Sequence, residues 1–188
     1  MWIVIILIAI LAAYVIYTFN SFVSLRNRAR NAWADIDVQL KRRHDLVPNL
    51  VATVQGYASH EKSVFEDVAR LRSRAMELEN AAERGDVESR LAGAIKSIFA
   101  IAESYPELKA DKNFRELQAQ LAEVEDHIQY ARRYYNAVVR DLNTKCEMFP
   151  SGLIAGMAGF AKLPYFQAAD EEREAVRIDM RGEKRDDN

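Results

Sequence analysis

The chain has 188 residues, a formal net charge of −2 and a pI near 6.0, which argues against general nucleic-acid binding. Its single cysteine, Cys146, excludes an internal disulfide framework and any multi-cysteine metal site. Seven Gly and four Pro among abundant Ala, Leu, Glu and Arg favour long helices.

Residues 1–25 contain no charged side chain, and Arg26, Arg28 and Arg30 follow at once. As a helix, residues 2–23 would extend roughly 33 Å at ~1.5 Å per residue. A bilayer hydrocarbon core is ~30 Å thick. Tyr14, Tyr17 and Phe19 lie toward the charged end, where aromatic rings suit the interface, and Trp2 suits the other face. A cleaved signal peptide would need a basic leader and small residues at its cleavage site. No Lys or Arg precedes the apolar run, and residues 17–22 include bulky side chains where small ones are needed. The expectation is a retained single transmembrane helix, domain 1–25. The basic residues on its C-terminal flank predict a short external N-terminus and a cytoplasmic bulk. Arg26, Arg28 and Arg30 are the candidates for lipid-headgroup contact.

The remaining chain suits one domain, residues 26–166. No Gly or Pro occurs between residues 1 and 47, so the anchor helix is expected to run on into it. Leu25, Ala29, Ala32 and Ile36 form one stripe, with Trp33 beside it. Val47, Leu50, Val54 and Tyr57 form another. Pro48 is expected to kink or end this helix, because proline removes a backbone donor. Ser59 reads as the cap of a second helix with Glu61 in its first turn, its stripe being Val64, Val68, Leu71, Ala75, Leu78 and Ala82. Glu83-Arg84-Gly85-Asp86 reads as a turn. A shorter helix follows with Leu91, Ala94, Ile95, Ile98, Phe99 and Ala102 inward, and residues 104–113 form a connector around Pro106.

The clearest pattern starts at Phe114. Leu117, Leu121, Val124, Ile128, Ala131, Tyr135, Val138 and Leu142 follow at alternating steps of three and four, and Phe149 resumes the series. This spacing predicts one long helix with coiled-coil-like packing. Asp111 is its expected N-cap, and Pro150 with Gly152 ends it. No stretch alternates with period two. The fold class is therefore all-α: an N-terminal transmembrane helix followed by an elongated antiparallel helical bundle. Residues 153–166 are apolar but too short to span, and either touch the membrane or cap the bundle. Residues 167–188 form a charged tail that is expected to be disordered, with eight acidic and five basic residues from Asp170 onward.

No catalytic or cofactor-binding constellation is present. There is no Ser-His-Asp set, phosphate loop or nucleotide fingerprint. His44, His60 and His127 form no H-E-x-x-H motif. Glu123 and His127 share a helix face at i, i+4. A helical-bundle metal site needs several matched helices of this kind, and only one offers the pair. No metal ligand is assigned. Lys41, Arg42, Arg43 and His44 are the densest basic run. They lie roughly 25–30 Å past residue 23 if helical, well beyond a Debye length of about 8 Å. Pairing with Glu123, Glu125 or Asp126 on the long helix suits them better than lipid, and a partner is the alternative. Gly152 and Gly156 match a small-residue packing motif. Cys146 is most simply a small core residue. Tyr130, Tyr134 and Tyr135 read as packing or interface residues.

The chain resembles the LemA family of bacterial membrane proteins over residues 19–166. The resemblance lies in LRNRARNAWADIDVQLKRRHDLVPNLVATVQGYASHE (25–61), FAIAESYPELKADKNFRELQAQLAEVEDHI (99–128), ARRYYNAVVRDLN (131–143) and FPSGLIAGMAGF (149–160). Leu142 stands where the family usually has Tyr. The resemblance implies one N-terminal transmembrane helix, an extended all-helical bundle and no established enzymatic activity. One relative is associated with magnetosome membranes. The expectation is a scaffold or adaptor in the bacterial inner membrane without a cofactor, whose partners are the lipid bilayer and other membrane or cytoplasmic proteins. Alternatives are a self-assembling, homo-oligomeric protein that organises membrane regions, and a membrane-bound metal enzyme using Glu123 and His127.

Overall fold

A computed structural model describes residues 1–58, 60–78 and 80–166. Its elements are all helices: α1 Trp2–Gln55, α2 Lys62–Glu77, α3 Ala81–Ala102, α4 Pro106–Ala110, α5 Lys112–Glu147 and α6 Ser151–Ala158. No strand occurs among the described residues, so the molecule is all-α. The charged tail at 167–188 and the expected cap Ser59 lie outside the described residues.

Helix α1 carries 54 residues in one piece, about 81 Å of rod at 1.5 Å per residue. It is long and apolar enough to cross a membrane, and residues 2–17 are exposed throughout. Helix α5, with 36 residues, runs antiparallel along α1. Phe22 packs with Leu142 at one end of the pair. Ala29, Ala32, Ile36 and Leu40 meet Val124, Ile128, Tyr135, Val138 and Val139 in the middle. Val47, Leu50 and Val54 meet Phe114 and Leu121 at the other end, where α2, α3 and α4 add Val68, Leu91, Ile98 and Leu108. The heptad stripe of α5 faces inward from Phe114 to Leu142, with Leu117 and Ala131 half-buried. Asp111 caps it by accepting a hydrogen bond from the Phe114 N–H at 2.8 Å.

Several sequence expectations are corrected. Of the two outcomes expected at Pro48, an end is excluded: α1 continues to Gln55. Proline removes the donor that the His44 carbonyl would take four residues back. Arg72 of α2 replaces it, its Nε donating to that carbonyl at 2.7 Å. Tyr57 falls past the helix end and is exposed, while Ala58 is buried instead. Helix α2 begins at Lys62 with Glu61 at its N-cap, so Glu61 is not in the first turn, and Phe65 is buried where Val64 is only half-buried. Glu83-Arg84-Gly85-Asp86 is not a turn but lies inside α3. The Asn80 side chain caps α3 earlier, accepting from the N–H groups of Ala82 and Glu83, so the helix is already under way at Glu83. The connector at 104–113 contains α4, with Pro106 in its first turn, where a missing N–H costs nothing. Phe149 does not resume the heptad stripe. It lies beyond the end of α5 and is 83 % exposed.

After α6, Gly159 takes a left-handed conformation (φ 71°) and turns the chain back along α5. Two asparagines hold the returning segment. Asn143 Nδ2 donates to the Leu163 carbonyl and Asn143 Oδ1 accepts from the Leu163 N–H, both at 2.9 Å. Asn136 does the same for Phe166 at 3.0 and 2.9 Å. Tyr135 donates its hydroxyl to the Pro164 carbonyl at 3.0 Å, and burial pushes that phenol above its ordinary pKa. Phe166 is thereby buried against Trp33.

Candidate functional site

The basic run divides by helical geometry. At 100° per residue, Arg43 and His44 turn into the bundle while Lys41 and Arg42 stay at its surface. Arg43 and His44 are 2 % and 3 % exposed, and Glu88 of α3 is 2 % exposed beside them. The Arg43 guanidinium bridges three helices. It pairs with the Glu88 carboxylate, donates to the Glu88 backbone carbonyl at 3.1 Å and reaches Glu125 of α5 at 2.8 Å. His44 Nε2 lies 2.9 Å from Glu88 Oε1, an ion-pair distance without the alignment of a full hydrogen bond. Arg84 adds a longer contact to the same oxygen at 3.8 Å and pairs with Asp37 of α1 at 2.8 Å. Its guanidinium also lies 5.9 Å from the Trp33 ring centroid. Burial alone raises the pKa of Glu88. The contact with His44 and the charges of Arg43 and His44 outweigh it and hold the carboxyl below its ordinary value.

An apolar cleft of about 210 Å³ opens beside this cluster, between α3 and α5. Ile95, Phe99 and Leu121 line it, with Lys96, Gln118 and Glu125 among its polar members. Arg43 and Glu125 belong to both features, so the buried charges form one edge of the cleft.

Arg42 approaches Glu123 at 3.6 Å with both side chains about half exposed, a pair of small energetic weight. Lys41 is exposed. Arg26, Arg28 and Arg30 are exposed on α1 just past the uncharged stretch. Arg26 and Arg30 share a face at i, i+4 and Arg28 points elsewhere. His127 lies 3.6 Å from Glu123, both exposed. Among the described residues, no three His, Cys, Asp or Glu side chains gather as metal ligands. Gly152 and Gly156 do not act as a pair. A Cβ on Gly152 would stand 2.7 Å from the Cys146 carbonyl oxygen, whereas Gly156 faces open space. Tyr130 and Tyr134 are exposed, and Cys146 is half-buried at the edge of the core.

Glu88 belongs to no sequence motif. Its signal was its register, since Glu88, Leu91, Ile95 and Ile98 follow one another at steps of three and four on one face. A carboxylate on a core stripe needs a buried cation, and Arg43 is that cation.

The amino-acid sequence matches a known family. The LemA family profile covers residues 32–180. The chain belongs to the LemA family. Among its relatives, the magnetosome protein MamQ 2 of Paramagnetospirillum magneticum is 24 % identical over 181 residues, covering 82 % of this chain and 66 % of the relative. The magnetosome protein MamQ of Magnetospirillum gryphiswaldense is 23 % identical over 79 % of this chain and 64 % of its own length. Protein LemA of Metamycoplasma hominis is 25 % identical, with 82 % and 71 % covered. The chain thus spans slightly less than two thirds of the length of the magnetosome relatives. The match to the family includes the whole α1–α3–α5 charge cluster, from Asp37 to Glu125.

Proposed function

We propose that this protein is a membrane-anchored helical scaffold that holds partner proteins at a fixed distance from a bilayer. In this reading the bilayer is the bacterial cytoplasmic membrane and the bundle stands on its cytoplasmic side. The observation that carries the proposal is the continuity of α1. One unbroken helix passes from a fully exposed apolar stretch into the spine of the bundle. An unbroken helix transmits position and orientation, which a flexible linker would lose. Buried charges then tie α3 and α5 to that spine, and two asparagine clasps hold the returning segment to α5. The basic flank at Arg26, Arg28 and Arg30 supports the cytoplasmic side. We assign the protein no catalytic step.

Cross-linking the full chain in its native membrane tests the scaffold. Reproducible adducts between the bundle and other proteins are the expected result, and a bundle that captures none would overturn it. A second reading is a self-assembling protein that organises membrane regions, and the similarity to magnetosome proteins favours it. Adducts formed only between copies of this chain would decide for that reading. A phosphatase fused after Asn188 should be inactive and a fluorescent protein there bright. The reverse pair would place the bundle outside the cytoplasm.

A further inference from the structure

Helix α6 occupies the level at which α1 leaves its uncharged stretch. Phe160, just past α6, stacks on Phe22 with centroids 4.9 Å apart and meets Phe19 edge-on at 5.6 Å. Ala155 is buried with Phe22 and Leu142. Lys145 bonds to Ser21, and its ammonium lies 5.9 Å from the Tyr17 ring centroid. Because α1 and α5 are antiparallel, the turn that follows α5 lies still closer to the apolar end of α1. At this level α1 presents no charge, since its first charged side chain is Arg26.

The inner face of α6 is spent on the bundle through Ser151 and Ala155. The outer face is apolar and bare. Leu153 is 62 % and Met157 90 % exposed, and they share one side of the helix at i, i+4. Met148 and Phe149 in the preceding turn are exposed beside them. On α1, Tyr17, Phe19 and Val23 are exposed at the same level. These side chains continue the apolar surface of the anchor around the end of the bundle. Charges border this surface: Arg26 follows on α1, Lys145 bonds to Ser21, and the exposed Lys162–Glu147 pair sits at the end of α5. An apolar belt edged by basic residues is the pattern of a membrane interface.

We infer that the outer face of α6 and the turn before it, carrying Phe149, Leu153 and Met157, form a second membrane-contact surface immersed in the interfacial layer of the bilayer that α1 crosses. The occupant is lipid. This rests on the membrane-anchor reading and adds that the bundle end sits in the membrane surface. Two contacts at one level, one spanning and one interfacial, fix the tilt and rotation of the bundle on the bilayer, which a single helix leaves free.

The test uses the full chain with Cys146→Ser, reconstituted in vesicles of phosphatidylcholine and phosphatidylglycerol. Single cysteines at Ile8, Leu153, Met157 and Arg115 carry a polarity-sensitive fluorophore, and nitroxides sit at shallow positions on the lipid acyl chains. Labels at Leu153 and Met157 should emit blue-shifted light and be quenched several-fold more strongly than the label at Arg115, an exposed residue near the far end of α5. If Ile8 is shielded while Leu153 and Met157 behave like Arg115, the inference is overturned and the anchor stands. If Ile8 is also in water, the anchor reading fails and the inference fails with it. If Leu153 and Met157 are blue-shifted but escape the lipid quenchers, and return to water when the protein is diluted with excess lipid, a second copy covers the face and the inference is overturned.

Discussion

The α1–α5 pair and the α2–α3 hairpin are joined to the same spine by different physics. Helix α5 lies on α1 through an apolar stripe that extends from Phe114 to Leu142, so each contact is ordinary and the strength lies in repetition. The hairpin meets α1 over a shorter length, with Val68, Leu71, Leu91 and Ile98 around Val47, Leu50 and Val54. Its placement depends on a few polar contacts with one geometry each: Glu88 on Arg43 and His44, and Arg72 on the His44 carbonyl. Apolar stripes tolerate small slips, whereas a buried ion pair does not. The stripe therefore supplies length, and the charge cluster sets where the hairpin sits.

The largest expected effect breaks the hairpin side. Glu88→Ala leaves Arg43 buried without its main partner and should destabilise the protein by about 3–5 kcal/mol. Replacing all three groups together, Arg43→Met, His44→Leu and Glu88→Leu, should be far milder, or stabilising by about 1–4 kcal/mol, because no buried charge is left unpaired. Denaturant unfolding in detergent measures both. Equal losses from the single and triple variants would show that packing, not charge, places the hairpin.

The stripe side responds next. Ile128→Ala should cost about 2–4 kcal/mol, and Leu121→Ala nearer 2, within the usual range for buried truncations. The difference arises because Leu121 lines the cleft beside the charge cluster, whereas Ile128 is packed within the α1–α5 core. Leu121→Asp should exceed Leu121→Ala by burying a charge. Gln118→Ala, exposed at the cleft edge, should stay within about 0.5 kcal/mol.

A smaller effect isolates the proline contact. Arg72→Leu should cost about 1–2 kcal/mol by leaving the His44 carbonyl without a donor. Pro48→Ala restores the helical donor, so the Arg72→Leu penalty should shrink in that background. A double-mutant cycle with no coupling would separate Arg72 from the proline altogether.

The smallest effect is a pH dependence. The folded pKa of Glu88 is lowered, so its contribution is complete above the ordinary carboxyl value of 4.5 and is lost as pH falls below it through the depressed folded value. Glu88→Gln should flatten that part of the acid limb. An unchanged acid limb would mean that other carboxylates govern it.

The membrane end bears on how the anchor is probed. Deleting residues 1–24 removes Thr18 and Phe22, which are buried against the bundle, and so uncovers Phe160. Ile8→Lys combined with Leu11→Lys tests insertion without that damage, since both positions are exposed. Loss of the double variant from carbonate-washed membranes is the expected outcome.

The sequence by itself determined the features that depend on repetition or on a long unbroken run. The uncharged first 25 residues, the α5 stripe from Phe114 and the Asp111 cap were all legible, because each follows from local spacing along one helix. Tertiary structure alone decided the features that depend on one group meeting another far along the chain. Arg43 and Glu88 are 45 positions apart, and only the folded helices make their charges partners. Pro48 reads as a kink or an end, and only the fold shows Arg72 supplying the missing donor. Asn136 and Asn143 stand one heptad apart on α5, yet their role as clasps exists only once residues 160–166 return alongside. Helix periodicity is a property of one segment and survives in sequence. The pairing of buried polar groups is a property of two segments, and it is fixed by the cost of leaving either one unsatisfied.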